Sequence, residues 1–248
     1  MNLFLSPHLD DAVFSCGGLI HQLTRQHESA AILTVMAGDP PDPLPLTPLV
    51  SELHERWAVG VNPVAARRKE DRAAAGRLRA TVIHWPVPDC VYRTHEGVAL
   101  YPSGDGNLFG PVIDGDPARL QLQSSQAPDA ETVYIPLGVG RHVDHVIVRQ
   151  WALDTFSNKT VRIIYYEDYP YSSNEQALAA ALDEFNVLMR EKLIFLDEAD
   201  FAAKVEAAAA YQSQISTFWP DVEHMRAALY RQMYHPESGR LVERYWHA

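Results

Sequence analysis

The chain has 248 residues, of which 47% are hydrophobic and 21% charged, a globular composition far from that of disordered chains. A formal net charge of -11 supplies no basic field for a nucleic-acid backbone or an anionic membrane, which excludes both as expected partners. Two cysteines, Cys16 and Cys90, are too few for a disulfide framework and read as free thiols.

Pro7 and two carboxylates arrive before a signal-peptide apolar region could form, and no apolar run approaches spanning length, so a cytoplasmic single domain over residues 1–248 is the expectation. In chain order, Leu3–Leu5 reads as a short strand and Val13–Gln26 as a helix. Ala31–Val35 is a second strand, and Gly38–Pro48, with five prolines, is an irregular loop. Helices follow over Leu49–Ala58 and Pro63–Leu78, then a strand over Thr81–Trp85. Pro86–Asp129, rich in Gly, Pro and Asp, is too long for an ordinary connection, and its Tyr92, Arg93, Tyr101 and Phe109 favour an ordered lid-like insertion beside a site.

A strand over Thr132–Pro136, a helix over Val146–Phe156 and a strand over Val161–Tyr166 come next. The remainder reads as helical, over Asn174–Met189, Asp200–Gln214 and Asp221–Tyr234. Strands alternating with helices predict an α/β, Rossmann-like fold: a mostly parallel sheet with helices on both faces, a lid-like loop and a helical C-terminal region.

In such sheets ligands bind beyond the carboxyl ends of the strands. The first strand runs into His8-Leu9-Asp10-Asp11, and the fourth is followed by His142-Val143-Asp144-His145. Taken singly, the aspartates suit a helix N-terminus and His8 an ordinary hydrogen-bonded histidine. Gathered at two strand ends, three His and three Asp match a catalytic metal site with three His or carboxylate ligands and one open position. His8, Asp11 and His145 form the expected ligand triad. Asp10, whose side chain diverges from that of Asp11, is the candidate base for a metal-bound water. His142 is the candidate stabiliser of the developing oxyanion, and Asp144 orients a histidine.

At these residues the sequence resembles the LmbE-like, PIG-L family of metal-dependent N-acetylglucosaminyl deacetylases. Pro7-His8-Leu9-Asp10-Asp11-Ala12 stands where the family reads Pro-His-Pro-Asp-Asp-Glu, and His142-Val143-Asp144-His145 matches its His-x-Asp-His. Arg67-Arg68-Lys69-Glu70 resembles an Arg-and-Glu helix of the family, and Lys204 with Tyr211-Gln212-Ser213-Gln214 a C-terminal Lys and Ser-Gln segment. The resemblance implies a Rossmann-like fold, zinc (with ferrous iron or another divalent metal as alternatives) and hydrolysis of an N-acyl group. It implies the same ligands, base and stabiliser as the residues themselves do.

Two departures stand out: Ala12 replaces the family's acidic residue, and Gly140 stands where some members place a tyrosine. The expected partner is a small N-acetylated sugar or sugar conjugate, with Arg67, Arg68, Tyr92 and Arg93 as candidate substrate contacts and a homo-oligomer left open. Competing readings are a non-haem iron oxygenase using His8, Asp10 and His145 as a facial triad, and a non-catalytic α/β binding module. The triad leaves Asp11 and His142 without roles, and no glycine-rich phosphate loop follows any expected strand.

Overall fold

The computed structural model describes residues 1–57 and 62–248; Ala58, the last residue of the helix expected over Leu49–Ala58, lies outside the described residues. The first run comprises β1 (Asn2–Ser6), α1 (Asp11–Arg25), β2 (Ala30–Thr34), α2 (Pro48–Trp57), α3 (Pro63–Arg77) and β3 (Thr81–His84). The lid-like segment carries β4 (Thr94–His95), β5 (Val98–Ala99), α4 (Asp105–Leu108) and α5 (Pro117–Gln123). A second unit is β6 (Thr132–Pro136), α6 (Val143–Phe156) and β7 (Arg162–Tyr166). The chain closes with α7 (Glu175–Asp183), β8 (Arg190–Leu196), α8 (Glu198–Ala208), α9 (Gln212–Phe218), α10 (Val222–Met233), β9 (Tyr234–His235) and β10 (Arg240–His247).

The main sheet has the order β3-β2-β1-β6-β7-β10-β8. The first five strands are parallel, whereas β10 runs antiparallel to β7, β8 and β9. Side chains alternate across it: Leu3, Leu5, Leu33 and Val133 enter one apolar cluster, Phe4, Ile32 and Tyr134 the other. Burial on both faces explains why β1, β2 and β6 read as continuous apolar runs. Residues of α1, α3, α8, α9 and α10 cover the Phe4 face, and residues of α5, α6 and α7 the Leu3 face.

From β1 the chain steps outward through β2 to β3, then returns to place β6 on the other side of β1 and continues to β7. Right-handed crossovers of opposite direction put their helices on opposite faces, so the carboxyl ends of β1 and β6 are a topological switch point where the loops part. Both sequence motifs leave the sheet there.

The C-terminal region is not simply helical. The helix expected to Met189 ends at Asp183, and Arg190–Leu196 is a strand instead. The helix expected over Asp200–Gln214 is two, because Asp197 and Asp200 cap each other reciprocally and start α8 early, and a break follows Ala208. The strand β10 carries a buried carboxylate, Glu243, which accepts from Lys204 Nζ at 2.7 Å, from Gly18 N and Leu19 N at 2.9 Å each and from Tyr245 Oη at 2.8 Å. Lys204 also donates to the Ser15 carbonyl at 3.0 Å, so this pair ties α8 and β10 to α1. Among the described residues no helix is long and apolar enough to cross a membrane.

Candidate metal and catalytic site

The loop from β1 to α1 is set by its own hydrogen bonds. Ser6 Oγ donates to the His8 carbonyl at 2.6 Å and accepts from Ala12 N at 3.0 Å, while Asp11 Oδ2 accepts from His8 N at 2.7 Å. Asp10 is the residue before the helix and Asp11 its first, so the helix starts two residues earlier than expected and the neighbouring carboxylates diverge. Ala12 packs in the apolar cluster on the Phe4 face, so this position contributes an apolar contact and no carboxylate.

On the other side of the switch point, Gly138 and Gly140 take φ of +83° and +80°, a region open to glycine. They turn the chain so that α6 begins at Val143, with His142 as its cap and His145 in its first turn. A side chain at Gly140 would meet the Tyr171 ring at 3.4 Å, so Tyr171 fills the space beside this turn.

Asp11 Oδ2 lies 3.3 Å from His8 Nδ1 and 3.3 Å from His145 Nε2. Each histidine gives its other nitrogen to a carboxylate: His8 Nε2 is 3.0 Å from Asp144 Oδ2, and His145 Nδ1 is 2.6 Å from Asp168 Oδ1. A carboxylate only accepts, so with a cation held beside Asp11 the nitrogens facing Asp144 and Asp168 would keep the protons and the lone pairs facing Asp11 would be free for it. His145 Nε2 is buried and has no hydrogen-bond partner.

Two of the three edges of this triad suit a divalent cation. Metal bonds of about 2.1 Å in a tetrahedron make ligand–ligand edges of about 3.4 Å, close to the two contacts around Asp11 Oδ2, and the donors are the N and O types that zinc takes. Without a cation the same crowding protonates the rings. Burial opposes charge on His145, but Asp11 and Asp168 raise it to about 9, and His8 is raised likewise by Asp89, Asp11 and Asp144 against its burial. Burial would raise the Asp11 carboxyl, yet His145 and His8 hold it well below the usual range.

Asp10 stands apart from this group. Its Oδ2 lies 3.8 Å from Arg67 Nη2, and burial with the Asp11 charge pushes its carboxyl up to about 7. Asp11 therefore has a carboxylate oxygen within 3.3 Å of both His8 and His145, whereas Asp10 is paired with Arg67. His142, His8 and His145 each bring a nitrogen within 4.8 Å of the other two, a group that could itself hold a metal ion. Burial and His8 keep its ring well below the usual imidazole value, hence neutral. Its Nδ1 accepts from Asp144 N at 3.3 Å, which leaves the proton on Nε2 as a donor.

The expected substrate contacts divide. Arg67 is buried, stacked 4.6 Å over Trp57 and turned to Asp10. Arg68 is half-buried and binds the Ala37 carbonyl and Asp39, both at 2.7 Å. Tyr92 is buried, with its hydroxyl 2.7 Å from His54 Nε2. Arg93, expected at a ligand, is enclosed between Asp116 and Asp144, with its guanidinium paired to both carboxylates. The segment over 86–129 does reach the site. Cys90 N donates to Asp144 Oδ2 at 3.0 Å, Asp89 Oδ2 is 3.9 Å from His8 Nε2, and the Phe109 ring meets His142 at 5.3 Å and Tyr171 at 5.5 Å.

Asp168 is the functional residue that sequence reasoning missed. It follows β7, another parallel strand at the same edge, and its Oδ2 also accepts from Gly138 N at 2.7 Å and Val139 N at 2.9 Å. The rule that singled out His8 applies to it equally, but one carboxylate without a neighbouring histidine in sequence gave no pattern.

A family model described as PIG-L, GlcNAc-PI de-N-acetylase, matches residues 3–156. The 2'-N-acetylparomamine deacetylase of Streptomyces fradiae is 27% identical over 190 residues, which is 71% of this chain and 59% of that protein. The chain thus spans less than two thirds of that relative's length. The zinc-inhibited form of teicoplanin deacetylase is similar with a TM-score of 0.77 and 26% identity, covering 99% of this chain and 96% of that one. The A40926 pseudoaglycone deacetylase is similar with a TM-score of 0.74 and 25% identity, covering 99% and 95%.

Proposed function

The chain belongs to the GlcNAc-PI de-N-acetylase (PIG-L) family, and on that premise we propose that it is a metal-dependent N-deacetylase removing an acetyl group from an amino sugar within a larger conjugate. The observation that carries this reading is the pair of histidines, each with one nitrogen tied to a carboxylate and the other turned to Asp11 Oδ2. Carboxylates that orient ligating histidines in this way are the usual outer partners of a metal site, which supports the reading. The similarities to deacetylases named for N-acetylparomamine, teicoplanin and the A40926 pseudoaglycone favour an amino sugar carried on a larger scaffold.

His8 Nδ1, Asp11 Oδ2 and His145 Nε2 would hold the metal, zinc being the leading candidate. When bound, it supplies Lewis acidity that polarises the amide and acidifies water. Asp10 takes the proton from the attacking water and returns it to the departing amine, with Arg67 holding its carboxylate in place. His142 Nε2–H donates to the amide oxygen as negative charge gathers there. Phe109 shields this face from bulk water and borders the space for the sugar.

The test is release of acetate, with one amine freed per acetate, from N-acetylated aminoglycosides, glycopeptide pseudoaglycones and N-acetylglucosamine, with and without chelator. Chelator-sensitive release from at least one of these conjugates is expected. No release from any, by protein shown to contain metal, would overturn the reading.

A further inference from the structure

Arg93 is the most enclosed cation of the lid-like segment, 3% exposed. Its Nη1 lies 2.6 Å from Asp144 Oδ1 and 3.1 Å from the Pro88 carbonyl, and its Nη2 lies 2.8 Å from Asp116 Oδ2. Tyr101 completes the far side, with its hydroxyl 2.8 Å from the same Asp116 oxygen and its ring 5.5 Å from the guanidinium. Asp144 spends its other oxygen on His8 Nε2 and Cys90 N, both at 3.0 Å. One planar fork thus bridges two buried carboxylates, a task that suits arginine and that the point charge of lysine performs poorly.

We infer that Arg93 is a positioning residue: by pinning Asp144 it holds the His8 ring with Nε2 engaged and Nδ1 turned to the metal position, and so sets the affinity of the site for its cation. The inference rests on the metal reading above. Among the described residues, Arg93 is the only cation against Asp144 Oδ1, and no hydrogen bond holds that atom. Without the fork, Asp144 is anchored through Oδ2 alone and its grip on His8 loosens. Arginine at 93 therefore acts across two contacts, Arg93 to Asp144 and Asp144 to His8, without touching the metal or the substrate.

The experiment measures zinc affinity by chelator competition for the wild-type protein, Arg93→Lys, Asp144→Asn, the double variant and Tyr101→Phe, with melting of each metal-free protein as the check on folding. Loss of an orienting partner weakens metal binding by about 10- to 100-fold. That loss is expected for Arg93→Lys and for Asp144→Asn, with the double variant no weaker than Asp144→Asn alone. Tyr101→Phe, which touches only the far side of the network, keeps wild-type affinity. Multiplied losses in the double variant, or wild-type affinity in Arg93→Lys, overturn the inference. Should Arg93→Lys fail to fold, wild-type affinity in Asp144→Asn or a comparable loss in Tyr101→Phe overturns it alone. A wild-type protein that binds no zinc sinks the metal reading instead, a result distinguishable from all of these.

Discussion

Replacing Asp168 by Asn tests the histidine geometry with a side chain of nearly the same shape. Asp168 makes three contacts: Oδ1 with His145 Nδ1 at 2.6 Å, and Oδ2 with Gly138 N and Val139 N at 2.7 and 2.9 Å. An asparagine has one acceptor oxygen for those two sides. If the oxygen stays with the backbone amides, its NH2 group faces His145 Nδ1 and drives the ring proton to Nε2, the nitrogen needed for the metal. If it turns to His145, the NH2 group opposes two backbone donors and leaves them unsatisfied, at about 1–3 kcal/mol. Either arrangement should weaken zinc binding by about 10- to 100-fold, which is about 1.4–2.7 kcal/mol. Chelator competition reads the affinity, and melting of the metal-free variant separates it from unfolding. Wild-type zinc affinity in Asp168→Asn would refute the argument that this carboxylate sets the His145 tautomer.

Other predictions follow the same geometry. Asp10→Asn should keep its metal and lose turnover by about 10²- to 10⁴-fold, as loss of a general base does; equal loss of metal would make it a ligand. His142→Ala should also keep metal, with kcat lowered by about 10²- to 10³-fold in steady-state assays. His8→Ala and His145→Ala should each lose bound metal and activity together by elemental analysis. Phe109→Ala, or a shortened 86–129 segment that retains Arg93 and Asp116, should change KM and substrate preference while metal content stays constant; unchanged kinetics would remove the segment from substrate selection. Lys204→Met strips the cation from buried Glu243 and should lower stability by about 3–5 kcal/mol in denaturant unfolding.

The parallel half of the fold is legible in the sequence because its strands are buried on both faces and read as apolar runs between amphipathic helices. The antiparallel addition is not. Arg190–Leu196 has a largely exposed first half at the sheet edge, and the buried polar residue of β10, Glu243, breaks the alternation that would announce a strand. The site follows the same division. His8, Asp10, Asp11 and the 142–145 motif are local in sequence and sit at strand ends, so spacing alone gathers them. Asp168 enters only when β7 pairs beside β6, and the pairing of Arg93 with Asp144 appears only when the lid-like segment folds inward. Long-range pairing of buried charges leaves no periodic trace in sequence.

The central claim is most directly tested by anomalous diffraction at the zinc absorption edge on crystals of the zinc-loaded protein. The account predicts one strong peak bounded by His8 Nδ1, Asp11 Oδ2 and His145 Nε2, with Asp10 outside its coordination. A peak ligated by Asp10 in place of Asp11, or by His8 through Nε2, would contradict it.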